Sequence, residues 1–367
     1  MLHRLNLVYV IIRRNMIPRT VPSWQRELSQ SIRDPAELLL RLKLGSELLE
    51  DARHAAKLFG LYVSPAYLSR IEVGNLSDPL LRQVLPLSDE LIEQRGFSMD
   101  PVDEFESFKA PGLLQKYHGR ALLITTAACA INCRYCFRRH FPYQGSAPTE
   151  SNWQEVLKSL REDDSISELI LSGGDPLLIT NERLAGFLDD LETITHLKRV
   201  RIHSRIPIVL PSRIDAELCQ ILASSRLFSV VIIHANHSNE IDDEVSSALR
   251  RLRPVATLLN QSVLLKGVND SAATLSELSE QLFANGVLPY YLHQLDRVQG
   301  AAHFEVTDGE ALTIHQTMSE SLPGYLLPKL VREVAGKQSK TPLIELFSTT
   351  FSDTDTEGIF SLTSMGY

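Results

Sequence analysis

Three of the four cysteines in the chain lie close together, in the segment CAINCRYCFRR at residues 129–139. Cys129, Cys133 and Cys136 follow a C-x3-C-x2-C spacing, with arginines on both sides of the last cysteine. Three thiolates fall one short of the four ligands that a closed structural zinc site needs. An iron–sulfur cube held by three cysteines leaves one iron open to a further ligand. The spacing therefore predicts a metal centre, either a cluster with an open iron or a small zinc site completed by His140.

A second group of residues suited to chemistry is the turn Ser172-Gly173-Gly174-Asp175-Pro176. Glycine has no Cβ, so the backbone at this turn can approach a ligand closely. The same residues are also typical of an ordinary tight turn. Because the turn follows the next predicted strand after the cysteine loop, we expect it to face the same site.

Both segments follow predicted strands, and this pattern continues along the chain. Six β-rich runs alternate with five segments that have apolar residues at helical spacing. The runs are RALLITT, ELILSGG, RVRIHSR, FSVVIIHA, VATLLNQSVLL and LPYYLHQL, and the helices lie near 152–162, 181–192, 213–224, 240–252 and 272–285. This order predicts parallel strands with right-handed crossovers, in an open sheet or in a complete or incomplete barrel. In these folds the carboxyl ends of the strands hold the chemistry.

The rest of the chain is predicted to surround this unit. The predicted parts are an extension at 1–15, a helical N-terminal region at 16–112, a barrel at 113–300, a C-terminal segment at 301–345 and a flexible tail at 346–367. Met16 is the alternative start of the chain. Asp34 and Pro35 have the residue types of a helix N-cap and first turn. The apolar run at 5–12 is too short to cross a membrane, which takes roughly 20 residues.

Composition limits the classes of function. With 367 residues, of which 44% are hydrophobic and 22% charged, the chain is typical of a globular protein. Its formal net charge of −8 argues against extended binding to nucleic acid. One cysteine cluster and a solitary Cys219 do not form a disulfide framework, so a reducing, cytoplasmic compartment is predicted.

The cysteine spacing, with Tyr135 before the last cysteine, resembles the signature of radical S-adenosylmethionine (SAM) enzymes. Over roughly residues 24–343, longer stretches resemble the lysine 2,3-aminomutase family, most of all the branch that makes (R)-β-lysine for elongation factor P. They are YHGRALLITTAACAINCRYCFRRHFPY, ELILSGGDPLL, RIHSRIPIVLPSRI, HANHSNEI, NQSVLLKGVND, YYLHQLDRVQGAAHF and PGYLLPKLVREVAGKQSKTP. The resemblance implies an α/β fold, namely a partial (β/α)6 radical SAM barrel with a helical N-terminal region and a C-terminal segment that carries a cofactor-binding lysine.

Two of the cofactors implied by the resemblance are a [4Fe–4S] cluster on the three clustered cysteines and SAM on its open iron. The glycine-rich turn matches the segment that holds the amino group of SAM, and a histidine and a glutamine match further SAM contacts. The residues expected to hold these two cofactors are Cys129, Cys133, Cys136, Ser172, Gly173, Gly174, Asp175, His234 and Gln261. A buried histidine satisfied by the backbone is the alternative for His234.

Pyridoxal 5′-phosphate is the third cofactor that the resemblance implies. Lys340, in the stretch SKTP, matches the lysine that binds it in the family. Tyr117 and Arg120 match residues near the pyridoxal ring and phosphate, and Lys116 stands where the family has an arginine. A solvated surface lysine is the alternative for Lys340.

The expected substrate contacts follow the charges of lysine, which has a carboxylate and a distant ammonium. Arg138 matches the arginine that binds the carboxylate, and a guanidinium fork suits that group. Asp296 and Glu333 match two acidic residues that bind the ammonium, although free-lysine aminomutases have aspartate at the second position. The alternatives are a solvated basic face for Arg134, Arg138 and Arg139, and surface ion pairs for the two acidic residues.

The resemblance implies an isomerase, an intramolecular aminotransferase that converts (S)-α-lysine to (R)-β-lysine for the β-lysylation of elongation factor P. The expected partners are L-lysine, a reductant such as flavodoxin or ferredoxin and, through a functional link, elongation factor P and its lysyl ligase. Direct contact with nucleic acid or membrane is not expected, and the oligomeric state stays open. No cysteine follows Cys219, so the zinc-linked tetramer of lysine-fermenting relatives is not expected. Rival interpretations are an aminomutase of free-lysine or other amino-acid metabolism and a non-catalytic zinc-binding interaction protein.

Overall fold

One mixed sheet of ten strands, paired in the order of the sequence, forms the centre of the protein. The computed structural model describes residues 21–143 and 149–346; the predicted extension, the alternative start and the tail beyond 346 lie outside them. The strands are β1 (Phe108–Ala110), β2 (Leu113–Tyr117), β3 (Arg120–Thr126), β4 (Glu168–Gly173), β5 (Arg199–Ser204), β6 (Phe228–Ile233), β7 (Thr257–Val263), β8 (Leu288–His293), β9 (Lys329–Arg332) and β10 (Thr341–Pro342).

The run from β3 to β9 is parallel throughout, whereas β1 and β2 at one edge and β10 at the other are antiparallel. Within the described residues no pairing joins the two edges, so the barrel is not closed. The predicted partial barrel is confirmed, and its six predicted strands are β3 to β8. Strand β9 is a further parallel strand that the sequence did not predict, because its four residues are too few to show an alternating pattern.

Helices form most of the N-terminal region and also connect the strands of the sheet. They are α1 (Ser23–Ser29), α2 (Pro35–Arg41), α3 (Leu49–Leu58), α4 (Pro65–Leu68), α5 (Pro79–Arg82), α6 (Glu150–Glu162), α7 (Asn181–Glu192), α8 (Ile206–Val209), α9 (Ala216–Ser224), α10 (Asp243–Leu252), α11 (Ala272–Ala284) and α12 (Asp308–Ser321). The five predicted helices of the barrel correspond to α6, α7, α9, α10 and α11. None of the helices in the described ranges has the length and apolar character needed to span a membrane.

Side-chain alternation along the strands separates a structural face from a functional face. Leu123 and Ile202 are fully buried in the main hydrophobic core, which also contains residues of the barrel helices. Leu122, Ile170 and Arg201 are partners in register across β3, β4 and β5 and line a cavity. Since successive residues of a strand point to opposite faces, the same strands bury one set of side chains in the core and present the other set to the cavity.

The N-terminal region holds the cysteine loop in place through backbone contacts. The backbone N–H of Asn132 donates to the carbonyl of Tyr62 at 3.0 Å, and the N–H of Arg134 donates to the carbonyl of Gln83 at 2.9 Å. In α2 the Asp34 carboxylate caps the helix through the N–H of Ala36, as its residue type predicted.

Strand β1 lies inside the range predicted as helical, because the sequence reasoning overlooked a turn. The Pro111-Gly112 pair separates β1 from β2, and Gly112 has a positive φ of 76°. A proline–glycine pair of this kind is a turn signal between two strands.

Candidate active site

A cavity of about 370 Å³ opens at the carboxyl ends of the parallel strands. It brings together every residue predicted to bind a cofactor or the substrate. These residues are Cys129, Cys133, Cys136, Arg138, Tyr117, Arg120, Ser172, Gly173, Gly174, Asp175, His234, Gln261, Asp296, Glu333 and Lys340. Glu104 and Arg205, which the sequence reasoning did not single out, also line the cavity.

The three clustered cysteines lie after β3 as free thiols. Burial raises the pKa of Cys136 to about 11 and the pKa of Cys129 well above the ordinary thiol value, and the neighbouring cysteines raise both further. Metal ligation requires thiolates, and three thiolates this close together need a compensating positive charge. The donor set therefore suits a multi-iron cluster, whose irons provide that charge.

His140 is not placed as a fourth ligand beside the cysteines. Its Nε2 lies 3.1 Å from the carbonyl oxygen of Gln299. Within residues 21–143 and 149–346, no group of three or more His, Cys, Asp or Glu side chains is arranged to hold one metal ion. His140 thus has a protein partner for Nε2, and the zinc site completed by His140 stays a prediction.

Gly173 and Gly174 allow the end of β4 to pack against the backbone at the start of the cysteine loop. A Cβ on Gly174 would lie 2.3 Å from the carbonyl oxygen of Ala128, and one on Gly173 would lie 2.6 Å from that of Thr126. The N–H of Gly174 donates to the Thr126 carbonyl at 2.7 Å. In this structure the absence of a side chain therefore serves backbone packing between the two loops, which was not the reason given from sequence.

The Asp175 carboxylate is fully engaged by the protein. It accepts hydrogen bonds from the Ser204 hydroxyl at 2.7 Å and from the backbone N–H groups of Leu177, Arg205 and Ile206. Burial raises the pKa of Asp175 to about 6 despite these donors. Asp175 thus ties the glycine-rich turn to the end of β5.

The arginines of the cysteine loop are buried, so the alternative of a solvated basic face is wrong. Arg134 and Arg139 share the Glu90 carboxylate, each at 2.6 Å. Arg138 forms two parallel bonds of 2.7 Å to Glu104, from Nε and from Nη2. Sequence reasoning missed Glu104 because nothing distinguishes it from other acidic residues in a turn-rich stretch.

Arg138 also forms hydrogen bonds to the glycine-rich turn at residues 172–176. Its Nη1 donates to the Ser172 hydroxyl at 2.9 Å and approaches the Gly173 carbonyl at 3.4 Å. Of the five N–H groups of a guanidinium, these contacts and the Glu104 pair use four. One N–H on Nη2 therefore stays available to a ligand.

Lys340 lines the same cavity, in a network with Glu333 and Tyr117. Its Nζ donates to Glu333 Oε2 at 2.8 Å, and the Tyr117 hydroxyl donates to Glu333 Oε1 at 2.5 Å. Burial acts to raise the pKa of Glu333, but Lys340 and Tyr117 outweigh it and lower the pKa. The Arg120 guanidinium carbon lies 4.5 Å from the centre of the Tyr117 ring. The alternatives of a solvated Lys340 and a surface ion pair at Glu333 do not describe this cavity network.

The Asp296 carboxylate faces the same cavity without a hydrogen-bond partner in the described residues. Burial raises the pKa of Asp296 to about 7; Lys340 lowers it, and the negative charges of Glu333 and Glu104 raise it. A cationic ligand group beside Asp296 would favour its ionised form.

His234 is held by neighbours on both sides of its ring. Its Nε2 lies 2.8 Å from the Tyr135 hydroxyl, and it has a backbone hydrogen bond to Gln261. Burial and the positive charge of Arg205 lower the pKa of His234 to about 3, so the ring is neutral. The predicted alternative, a buried histidine satisfied by protein groups, therefore agrees with these contacts.

Comparison with known proteins identifies the family. The model of the radical SAM superfamily matches residues 123–271. The chain is 50% identical to the L-lysine 2,3-aminomutase of Escherichia coli (strain K12) over 322 residues, which cover 87% of this chain and 94% of that protein. It is 46% identical to the L-lysine 2,3-aminomutase of Haemophilus influenzae, with 90% and 98% covered. The chain belongs to the lysine 2,3-aminomutase family.

The same-named protein of Clostridium subterminale is a more distant member of the lysine 2,3-aminomutase family. It is 34% identical over 326 residues, which cover 88% of this chain and 77% of that protein. The family resemblance noted from sequence is thus confirmed. Membership of the radical SAM superfamily implies a [4Fe–4S] cluster and SAM, and the three-cysteine donor set fits such a cluster. The roles of individual cavity residues stay predictions.

Proposed function

We propose that this protein is a pyridoxal phosphate-dependent L-lysine 2,3-aminomutase that converts (S)-α-lysine to (R)-β-lysine. One observation carries the proposal: a single cavity is lined by three clustered thiols, a lysine, an acidic group without a hydrogen-bond partner in the described residues, and a buried arginine. The names of relatives at 50% and 46% identity agree with it.

Cys129, Cys133 and Cys136 would hold the cluster, and Lys340 would hold pyridoxal phosphate. Together with SAM, these groups would supply radical chemistry at Cβ of the substrate, the neighbour of the carbon that carries the nitrogen. The residues around them orient the reactants and exclude water. Arg120, which forms no ion pair with another described residue, provides positive charge suited to the phosphate. The Glu333 carboxylate keeps the Lys340 amine pointed into the cavity at 2.8 Å.

Arg138 and Asp296 would distinguish the two charged ends of lysine. We propose that the substrate carboxylate accepts the remaining N–H on Nη2 of Arg138, while Glu104 and Ser172 keep the guanidinium plane fixed. Asp296, which lacks a protein partner in the described ranges, would pair with the distant ammonium. Because Glu333 is already engaged by Lys340 and Tyr117, its predicted role with the ammonium is the weaker of the two.

The product would serve the β-lysylation of elongation factor P, through a lysyl ligase that accepts (R)-β-lysine, in the cytoplasm. Support comes from the residues that resemble this branch. A flavodoxin or ferredoxin would supply the electron.

A substrate panel tests this proposal. The reconstituted enzyme, supplied with SAM and a reductant, is incubated anaerobically with L-lysine, L-glutamate or other amino acids, and β-amino acids are measured. We expect β-lysine alone, and Asp296→Asn should raise KM for lysine because the ammonium loses its counter-charge. β-Glutamate as the main product would instead assign the enzyme to other amino-acid metabolism. About four iron and four sulfide per chain would exclude the zinc-binding interaction protein.

A further inference from the structure

Arg205, the residue that follows β5, makes direct contact with one of the three clustered cysteines. Its Nη1 donates to Cys133 Sγ at 2.7 Å. In the described part of the chain, neither of the other two clustered thiols receives a side-chain hydrogen bond. Of the three predicted cluster ligands, Cys133 is therefore the one whose sulfur accepts a hydrogen bond from a cationic side chain in the described residues.

The Arg205 guanidinium is immobilised from several directions. It lies between the rings of Tyr67 and Tyr135, with centroid distances of 5.4 Å and 5.7 Å. Its Nη2 donates to Gln83 Oε1 at 2.6 Å and to Glu240 Oε2 at 2.9 Å. A group held this firmly keeps its bond to Cys133 without reorganisation when the charge of the cluster changes.

Glu240 neutralises the charge of Arg205 next to the Arg205–Cys133 hydrogen bond. Its side chain is fully buried, and it accepts further hydrogen bonds from Gln83 Nε2 and from the backbone N–H of Asn236. Arg205 and Glu240 are thus a neutral pair with the positive end directed toward Cys133. Arg205 Nε is also buried, and it has no hydrogen-bond partner in the described residues.

We propose that Arg205 is a positioning residue that raises the reduction potential of the iron–sulfur cluster through Cys133, and that Glu240 limits the rise. One-electron reduction adds a negative charge to a cluster that three thiolates already make negative. A hydrogen bond to the cluster sulfur and a nearby cation stabilise this reduced form relative to the oxidised form. The inference depends on the cluster of the radical SAM superfamily and not on lysine as substrate.

The test is a potentiometric titration of the anaerobically reconstituted full chain, without SAM or lysine, followed by the electron paramagnetic resonance signal of the reduced cluster. Arg205→Gln should shift the midpoint potential to lower values, because it removes the cation and the charged donor. Glu240→Gln should shift it to higher values, because the cation loses its counter-charge while the bond to Cys133 remains. Arg199→Gln is the matched control: Arg199 is the first residue of β5, its side chain is 41% exposed, and the change should leave the potential unchanged.

Iron and sulfide content is measured for each variant, so that loss of the cluster is separated from a change in its potential. A wild-type potential in an iron-replete Arg205→Gln protein overturns the proposal. If Arg205→Gln fails to retain iron, the Glu240→Gln protein decides, and an unchanged or lower potential there overturns it. Since neither SAM nor an amino acid is present, these results are independent of the aminomutase activity.

Discussion

The buried pair of Arg138 and Glu104 allows a quantitative prediction for Glu104→Ala. Both side chains are nearly inaccessible, at 5% and 8% exposed, and two bonds of 2.7 Å join them. Removing one partner of such a pair leaves a buried charge without compensation, which costs about 3–5 kcal/mol. At about 1.4 kcal/mol per tenfold change, this corresponds to a loss of roughly two to three and a half orders of magnitude in the folding equilibrium.

The assay is urea unfolding of the ligand-free protein, with an exposed ion pair as control. Glu37 and Arg41 form a helical i,i+4 pair at 3.0 Å whose side chains are 44% and 62% exposed. Glu37→Ala should cost only about 0.3–0.5 kcal/mol, because water already solvates both charges. The double variant Glu104→Ala/Arg138→Met should regain most of the stability lost by the single Glu104→Ala change. Equal losses of unfolding free energy for Glu104→Ala and Glu37→Ala would refute the claim that Glu104 compensates the buried charge of Arg138.

Three further predictions concern the cavity. Lys340→Ala should abolish the visible absorbance of protein-linked pyridoxal phosphate; persistence of that band would move the cofactor to another lysine. Gly174→Ala should reduce bound iron after reconstitution, because the new Cβ would meet the Ala128 carbonyl 2.3 Å away, and full iron content would contradict this. Burial gives Asp296 a pKa of about 7 in the folded state, above its unfolded value of about 3.9. Between these pH values the folded state binds one more proton than the unfolded state. The free energy of unfolding therefore falls as the pH rises from about 4 to about 7. Asp296→Asn should flatten that fall in urea unfolding, and an identical pH profile would count against an ionising Asp296.

The sequence predicted the barrel because its strands and helices each carry a local signal. RALLITT coincides with β3, and the other five runs differ from β4 to β8 only at their ends. The short strands lacked that signal: β1 has three residues and β9 has four. Their pairing is decided by neighbours distant in the chain, which a local pattern does not contain.

The residues of the cavity could be proposed from strand ends and family resemblance, but their partners could not. Glu104 is 34 residues from Arg138, and Gln83 is 122 residues from Arg205. Such pairings depend on how the N-terminal region packs over the strand ends. The glycines illustrate the same limit, since sequence reasoning assigned Gly173 and Gly174 to a ligand while the structure shows them against the backbone of the cysteine loop.

The most direct test of the proposed reaction follows the nitrogen atom itself. L-Lysine with an isotopically labelled α-nitrogen is incubated anaerobically with the reconstituted enzyme, SAM and a reductant, and the product is analysed by nuclear magnetic resonance. The account predicts (R)-β-lysine with the labelled nitrogen bonded to Cβ and unlabelled nitrogen at the side-chain end. Recovery of lysine with the label still on Cα, from enzyme that contains its full iron and pyridoxal phosphate, would contradict it.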